Sequence, residues 1–224
     1  MAPIDILIYL LLGTIDVFLI LAFIFKTFKW PFFRYVRECL TIASICSLES
    51  YVNRIILNIP QWDVLIQIVS LMIMLHVIIK VNWYHSLTLS AYGAIAYSII
   101  VYLTYMLLGV SGLVTHEDMA ASNGTGIFTI QISSESIGAV MAWMIHELNL
   151  GFSFIPAPPG ERKIMFSPTE KLLLAVHLTA VLIVITTMFW IINYGGFGIS
   201  VIMVSEVIML IILLLIARKQ DYNR

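Results

Sequence analysis

Charge is scarce in this sequence: of 224 residues only 11% are Asp, Glu, Lys or Arg, and no Lys or Arg occurs before Lys26. The 12 basic and 13 acidic residues leave a formal net charge of -1 without a basic stripe, which excludes an electrostatic nucleic-acid binder. Cysteine is almost absent. Cys39 and Cys46 lie on one predicted helix with Cα atoms about 10 Å apart, beyond disulfide reach, so both are expected reduced and buried. The histidines His76, His85, His116, His146 and His177 show neither H-x-x-x-H nor H-E-x-x-H spacing, so no metal site is expected. Serine-hydrolase elbows, Walker loops and dinucleotide fingerprints are also missing, so the chain is expected to be no enzyme and to need no cofactor. Asp16 and Asp63 are the pair an intramembrane aspartyl protease would need. Asp63, however, follows Pro60-Gln61-Trp62 in what reads as a loop. Asn123-Gly124-Thr125 reads as a turn.

What the sequence has is apolar length. Hydrophobic residues make up 61% of it, and the mean hydropathy is +1.00, far beyond what a water-soluble domain can bury. A bilayer core needs about 20 apolar helical residues. The expectation is an all-α polytopic membrane protein, a single transmembrane domain over residues 1–224. Its spans are placed at about 6–25, 38–57, 64–80, 86–110, 127–150, 171–192 and 197–217. The first is expected to be retained, since it lacks the basic flank and the cleavage pattern of a signal peptide. Polar connections separate the runs: "NIPQWD", whose Pro60 breaks a helix, a Gly, Ser, Asn and Thr-rich loop over 111–126, the proline-rich "PAPPGERKIMFSPTEK", and the Gly-rich turn "NYGGFG".

The fifth run, "IFTIQISSESIGAVMAWMIHELNLGF", is the doubtful one, with Ser133, Ser134, Glu135 and Ser136 in its first half. Basic residues decide it, because cytoplasmic loops carry the Lys/Arg excess. If the run crosses and the N-terminus is outside, Lys26, Lys29, Arg34, Arg37, Lys80, Arg162, Lys163, Lys171, Arg218, Lys219 and Arg224 all fall on the cytoplasmic side, and Arg54 alone outside. If it does not cross, the same residues divide almost evenly. The expectation is therefore seven spans, N-terminus outside and C-terminus cytoplasmic, with the serine-rich face turned inward because polar groups are not left unsatisfied in lipid.

That topology places Asp16, Glu49, Arg54, Glu135 and Glu206 within the hydrocarbon layer. Ionisable residues there tend to pair or to line cavities, so these five form the expected ligand pocket or interhelical polar cluster. Arg54 and Glu49 are about 140° apart around a helix, so Arg54 is expected to pair across helices, with Glu135, Glu206 or Asp16. In the second run Ser44, Ser47, Tyr51 and Arg54 share one side, and Glu49, Cys46 and Asn53 the opposite one. Tyr92, Tyr97, Tyr102 and Tyr105 repeat along the fourth run, either as packing anchors or as an aromatic wall, with Gly93 and Ala96 permitting close helix approach.

The stretch "LHVIIKVNWYHSLTLSAYGAIAYSIIVYL", residues 75–103, resembles the membrane-sensor half of accessory-gene-regulator-type sensor histidine kinases of Gram-positive bacteria. Lys80, Trp83 and Tyr84 carry the likeness: an apolar helix ending in Lys, a short aromatic turn and a Tyr-containing helix. "GFSFIPAPPGERK" is similar to a segment of small multi-pass membrane proteins of spore-forming bacteria. The resemblance implies a receptor of the bacterial cytoplasmic membrane that reads a secreted, often cyclic, peptide in quorum sensing. Because the sequence ends seven residues after Ala217, the expectation is a sensor subunit without its own kinase domain. It would bind a small peptide or lipid-like signal and act on a separate histidine kinase or another membrane subunit. A transporter or permease component with intramembrane carboxylates, or a structural subunit of a membrane complex, is the competing expectation.

Overall fold

The structure, a computed structural model, describes residues 3–122, 124–158, 168–194 and 199–222. It is 84% helical, with no strand among the described residues. In chain order the helices are α1 (Pro3–Thr27), α2 (Val36–Tyr51), α3 (Pro60–Val77), α4 (Trp83–Val110), α5 (His116–Ala120), α6 (Thr125–Glu147), α7 (Pro168–Tyr194) and α8 (Ile199–Tyr222). A 3-10 turn, Phe32–Tyr35, precedes α2, and a π-helical turn, Val52–Ile56, continues it. Four of these helices are long and apolar enough to cross a membrane by length and composition: α1, α3, α4 and Lys171–Ile191 within α7.

The helix ends follow local chemistry that hydropathy alone misses. Lys29, Asn58, Lys80 and Asn149 all adopt left-handed backbone conformations, with φ of 54°, 53°, 63° and 50°. In each case the next residue's N–H turns back to a carbonyl of the closing helix: Trp30 to Phe25 at 2.8 Å, Ile59 to Asn53 at 2.9 Å, Val81 to Leu75 at 3.1 Å and Leu150 to Ile145 at 3.0 Å. Carbonyls that would otherwise be orphaned are so satisfied. Pro60, expected to break a helix, instead opens α3 at its first position, where a missing N–H costs nothing. The third helix accordingly starts at 60 and not at 64, and Asp63 lies in its first turn and not in a loop. Asn82 opens α4 by accepting a hydrogen bond from the Tyr84 N–H at 3.1 Å. The 111–126 segment is not loop throughout, because Thr115 and Asp118 form a reciprocal capping box that starts α5. The connection at 159–167 and the glycines of "NYGGFG" lie outside the described residues.

Helix α4 occupies the middle and packs on α1, α3, α6, α7 and α8, while α1 packs on α2, α4 and α6. The main core joins Leu21, Ile24 and Phe25 of α1 to Cys39, Ile42 and Cys46 of α2, Leu75 of α3 and Leu89 and Ile95 of α4. Both cysteines are free and buried in it, as expected. The outward faces are equally apolar: Leu7, Leu11, Leu107, Val140, Trp143, Leu182, Ile208 and Leu215 are large and exposed. A molecule apolar both inside and out is compatible with a hydrocarbon surround.

Consecutive long helices run in alternating directions, so the N-terminus of α1 shares one end with the α2–α3 turn and α5. The other end gathers Lys26, Lys29, Arg34, Lys80, Arg218 and Lys219. There the 148–158 loop is fastened down: Trp30 Nε1 donates to Ile155 O at 3.0 Å, Tyr35 Oη to Pro158 O at 2.7 Å, and the Ser153 N–H to Asp221 Oδ1 at 2.8 Å.

Gly93 sets how closely α4 approaches α1. A Cβ there would sit 2.7 Å from Ile24 Cδ1 and 2.8 Å from Ile20 Cγ2. Gly93→Val is expected to destabilise the protein by about 1–3 kcal/mol through overpacking. Gly109→Ala, where an added Cβ meets nothing within 4 Å, is expected to leave it unchanged. Thermal unfolding of both variants in detergent checks the difference.

Candidate functional site

Asp63 is the most heavily bonded acid in the molecule among the described residues, and it is 1% exposed. Ser50, Asn53 and Arg54, spaced i, i+3 and i+4 at the end of α2, present one face to it. Ser50 Oγ donates to Oδ2 at 2.9 Å, Asn53 Nδ2 to Oδ1 at 3.3 Å and Arg54 Nε to Oδ2 at 2.6 Å. Tyr9 of α1 joins through its hydroxyl, 3.0 Å from Ser50 Oγ. The π turn lies where Arg54 sits: Leu57 N–H bonds Val52 O at 2.8 Å. Such turns insert an extra residue into a helix and re-aim its side chains, frequently at functional sites.

These groups form one wall of a cavity of about 210 Å³ near the end of the bundle that holds the N-terminus of α1. Asp16, about two turns along α1 from Tyr9, also lines it. Its carboxylate accepts hydrogen bonds from the Tyr97 hydroxyl of α4 and from Gln131 Nε2 of α6, the latter at 3.2 Å. Gln67, Ser98, Tyr102 and Ser134 add polar edges, and Val17, Ile20, Leu71, Ile130 and Val184 supply an apolar lining. Met119 of α5 and Ser122 also face the space, so the short helix contributes to its closure.

Arg54 uses only Nε in hydrogen bonds among the described residues, leaving its two terminal nitrogens as donors at a cavity-lining residue. The cavity therefore offers a fixed cation, already neutralised by Asp63, and a carboxylate held in place by two donors. It suits a small occupant with one acceptor, one donor and an apolar body.

Of the five expected site residues, Arg54 and Asp16 line this cavity together. Glu206, fully buried on α8, stands directly behind it: its Oε2 accepts from the cavity-lining Ser98 Oγ at 2.9 Å. Glu49 is turned elsewhere and accepts from Ser70 Oγ of α3 at 2.7 Å. Glu135 is buried on α6 but does not line the cavity. Expected pairing of Arg54 with Asp16, Glu135 or Glu206 is corrected to Asp63. Asn53, placed on the opposite side of α2 from Arg54, shares Asp63 with it, because the acid lies between the two directions.

The inward-facing serines of α6 also divide. Ser134 is buried on the cavity, whereas Ser136 is exposed and satisfied by its own helix, donating to Ile132 O at 2.7 Å. Tyr97 and Tyr102 line the cavity, Tyr92 stacks edge-on with Phe28 towards the other end, and Tyr105 shares an apolar cluster with the cavity-lining Tyr102, Met119 and Ile130. Asp16 and Asp63 do line one cavity, but each carboxylate has its own donors and no hydrogen bond joins them among the described residues. No group of metal-ligating side chains occurs among the described residues. No family model, curated protein or solved structure matches the chain.

Removing one partner of a buried ion pair strands the other, at a cost of about 3–5 kcal/mol. Asp63→Ala is expected to lose that much stability, and Arg54→Met/Asp63→Leu to recover most of it. Denaturant titration of the single and double variants in micelles measures both.

Proposed function

We propose that the chain is a sensor or receptor-like subunit of a bacterial cytoplasmic membrane, a seven-helix bundle with its N-terminus outside. In this reading α2, α6 and α8 cross the bilayer beside the four helices that meet the apolar length by themselves. The cavity then opens in the outer half, and the end rich in Lys and Arg faces the cytoplasm. A small peptide or lipid-like signal enters from outside and passes its effect to a separate histidine kinase or other membrane subunit.

One observation carries the reading: a single arginine with unused donors lines a cavity whose walls come from α1, α2, α3, α4, α6 and α7. An occupant there touches nearly every helix of the bundle, so its binding depends on their relative positions. A ligand shifts such an equilibrium only by its differential affinity for the two arrangements. At about 210 Å³ the space is smaller than sites that enclose a drug-sized molecule. It takes one residue-sized group, a side chain with its peptide unit, and leaves the rest of the ligand outside. The Ser98–Glu206 bond connects the cavity wall to α8, whose far end is tied by Asp221 to the cytoplasmic loop at Ser153. The likeness of residues 75–103 to accessory-gene-regulator-type sensors supports the same class of ligand.

Transport is the second reading, favoured by one observation. Glu135 Oε1 and Glu206 Oε1 are buried without a hydrogen-bond partner, as groups that pick up and release a cation would be. A structural subunit, whose polar groups only join helices, is the third. Proteoliposome flux or a stoichiometric co-purifying complex would favour these in turn.

Two measurements test the proposal. In a background lacking Cys39 and Cys46, a cysteine replacing Gly112 is expected to react with impermeant maleimide on intact cells, and one replacing Lys80 only after permeabilisation. With the protein in nanodiscs, the peptide fraction of spent culture medium is expected to stabilise it by about 2.7 kcal/mol at a hundredfold excess over Kd. Arg54→Ala is expected to lose that response while still inserting. Equal stabilisation of the variant would remove Arg54 from the site.

A further inference from the structure

A second cleft, about 390 Å³, lies at the opposite end of the bundle, between the C-terminal ends of α1 and α6. Next to its lining residues in sequence, the chain fastens the two helix ends to each other. Phe152 N–H donates to Thr27 O at 2.7 Å. Gly151, at φ 131°, packs so tightly on that carbonyl that a Cβ would stand 2.3 Å from it. Lys29 and Asn149, both left-handed, end α1 and α6 at the cleft. The helix ends are thereby held at a fixed separation.

The polar side chains lining this space are Lys26, Lys29, His146 and Asn149, with no carboxylate among the lining residues. Neither lysine takes part in an ion pair among the described residues. Lys26 Nζ lies 5.1 Å over the Phe33 ring and Lys29 is exposed. The apolar rim is open: Phe33 is 79% exposed, and Leu148 and Leu150 stand out beside it. Two uncompensated ammonium groups with an imidazole and an amide call for an anion. The exposed aromatic and leucine rim calls for an anion that brings hydrocarbon with it.

We propose that this cleft binds the phosphodiester headgroup of one anionic phospholipid, with the two lysines on the phosphate and the acyl chains running along Phe33 and Leu150. The depth fits, since Lys26 closes an apolar helix of 25 residues, where basic residues meet a negatively charged leaflet. The site is independent of the Arg54 cavity, shares no residue with it, and holds whether or not that cavity receives a signal.

Native mass spectrometry of the full chain, extracted from nanodiscs of mixed phosphatidylglycerol and phosphatidylcholine, tests it. One retained phosphatidylglycerol is expected on the wild type. Lys26→Gln/Lys29→Gln is expected to weaken retention roughly tenfold or more, while Arg218→Gln/Lys219→Gln keeps it. Inorganic phosphate at millimolar concentration is expected not to compete. Equal retention by the Lys26/Lys29 variant, equal retention of phosphatidylcholine, or displacement by free phosphate would each overturn the assignment. Lys29, Arg218 and Lys219 are exposed and Lys26 is half-buried, and unaltered thermal unfolding of each variant confirms that folding is intact.

Discussion

A single buried carboxylate, Asp63, holds the far ends of α2 and α3 together, and most of the candidate site follows from that attachment. Three donors, from Ser50 of α2 and from Asn53 and Arg54 of the π turn, converge on it, and the Tyr9 hydroxyl, bonded to Ser50, ties in α1. In a low-dielectric surround the arginine needs a counter-charge and the carboxylate needs donors, so each enforces the other's position. The consequences are local and specific. Helix α3 must begin close behind the end of α2, which the left-handed Asn58 and the helix-opening Pro60 permit within a short turn. The π turn keeps the chain helical while Arg54 is directed at its partner.

Helix existence was legible because twenty-residue apolar runs declare themselves, and the bounds erred by only a few residues at each end. The α2–α3 junction was not legible by hydropathy, since Pro60 can stop one helix or start the next. A combination present in the sequence favours starting: proline followed three positions later by Asp, an acid in the first turn after an N1 proline. Thr115 and Asp118 gave the same kind of capping signal inside a stretch taken as loop. The site residues were partly legible for a related reason. Ionisable groups within apolar runs are conspicuous, so Arg54, Asp16 and Glu206 stand out in the sequence. Cost alone does not say which of several acids an arginine meets. Wheel geometry set Arg54 and Asn53 on separate sides of α2 without asking what lay between them, and it left out Ser50, on the bisecting direction. Glu49 shows the converse: it is costly too, but a serine on the next helix is enough to hold it.

Asp16 plays a different part from Asp63. It carries no cation of its own and is held by a tyrosine from α4 and an amide from α6. Neutral donors give up a bond at smaller cost than a buried guanidinium does. The cavity thus has one rigid wall, built on the ion pair, and one wall whose bonds exchange readily. An occupant offering a donor to Asp16 competes with Tyr97 or Gln131 and changes how α4 and α6 are tied to α1. It does so without disturbing the α2–α3 attachment. In the receptor reading proposed above, that asymmetry would supply a fixed frame against which other helices are rearranged.

The direction of any rearrangement is constrained by where the helices are held at the other end. There α1 and α6 are bound through Thr27 and Phe152, and α8 through Asp221 and Ser153. Movement of α6 begun where Gln131 meets Asp16 of α1 is therefore resisted at its base. Movement reaching α8 through Ser98 and Glu206 meets a helix whose basic end is tied by two exposed hydrogen bonds from Ser153 to Asp221. Glu206 is fully buried, with one carboxylate oxygen engaged and the other without a hydrogen-bond partner, so a shift of α4 alters its surroundings directly. Helix α8 thus joins a buried polar link to the cavity wall, through Glu206, to a tie at its other end, through Asp221.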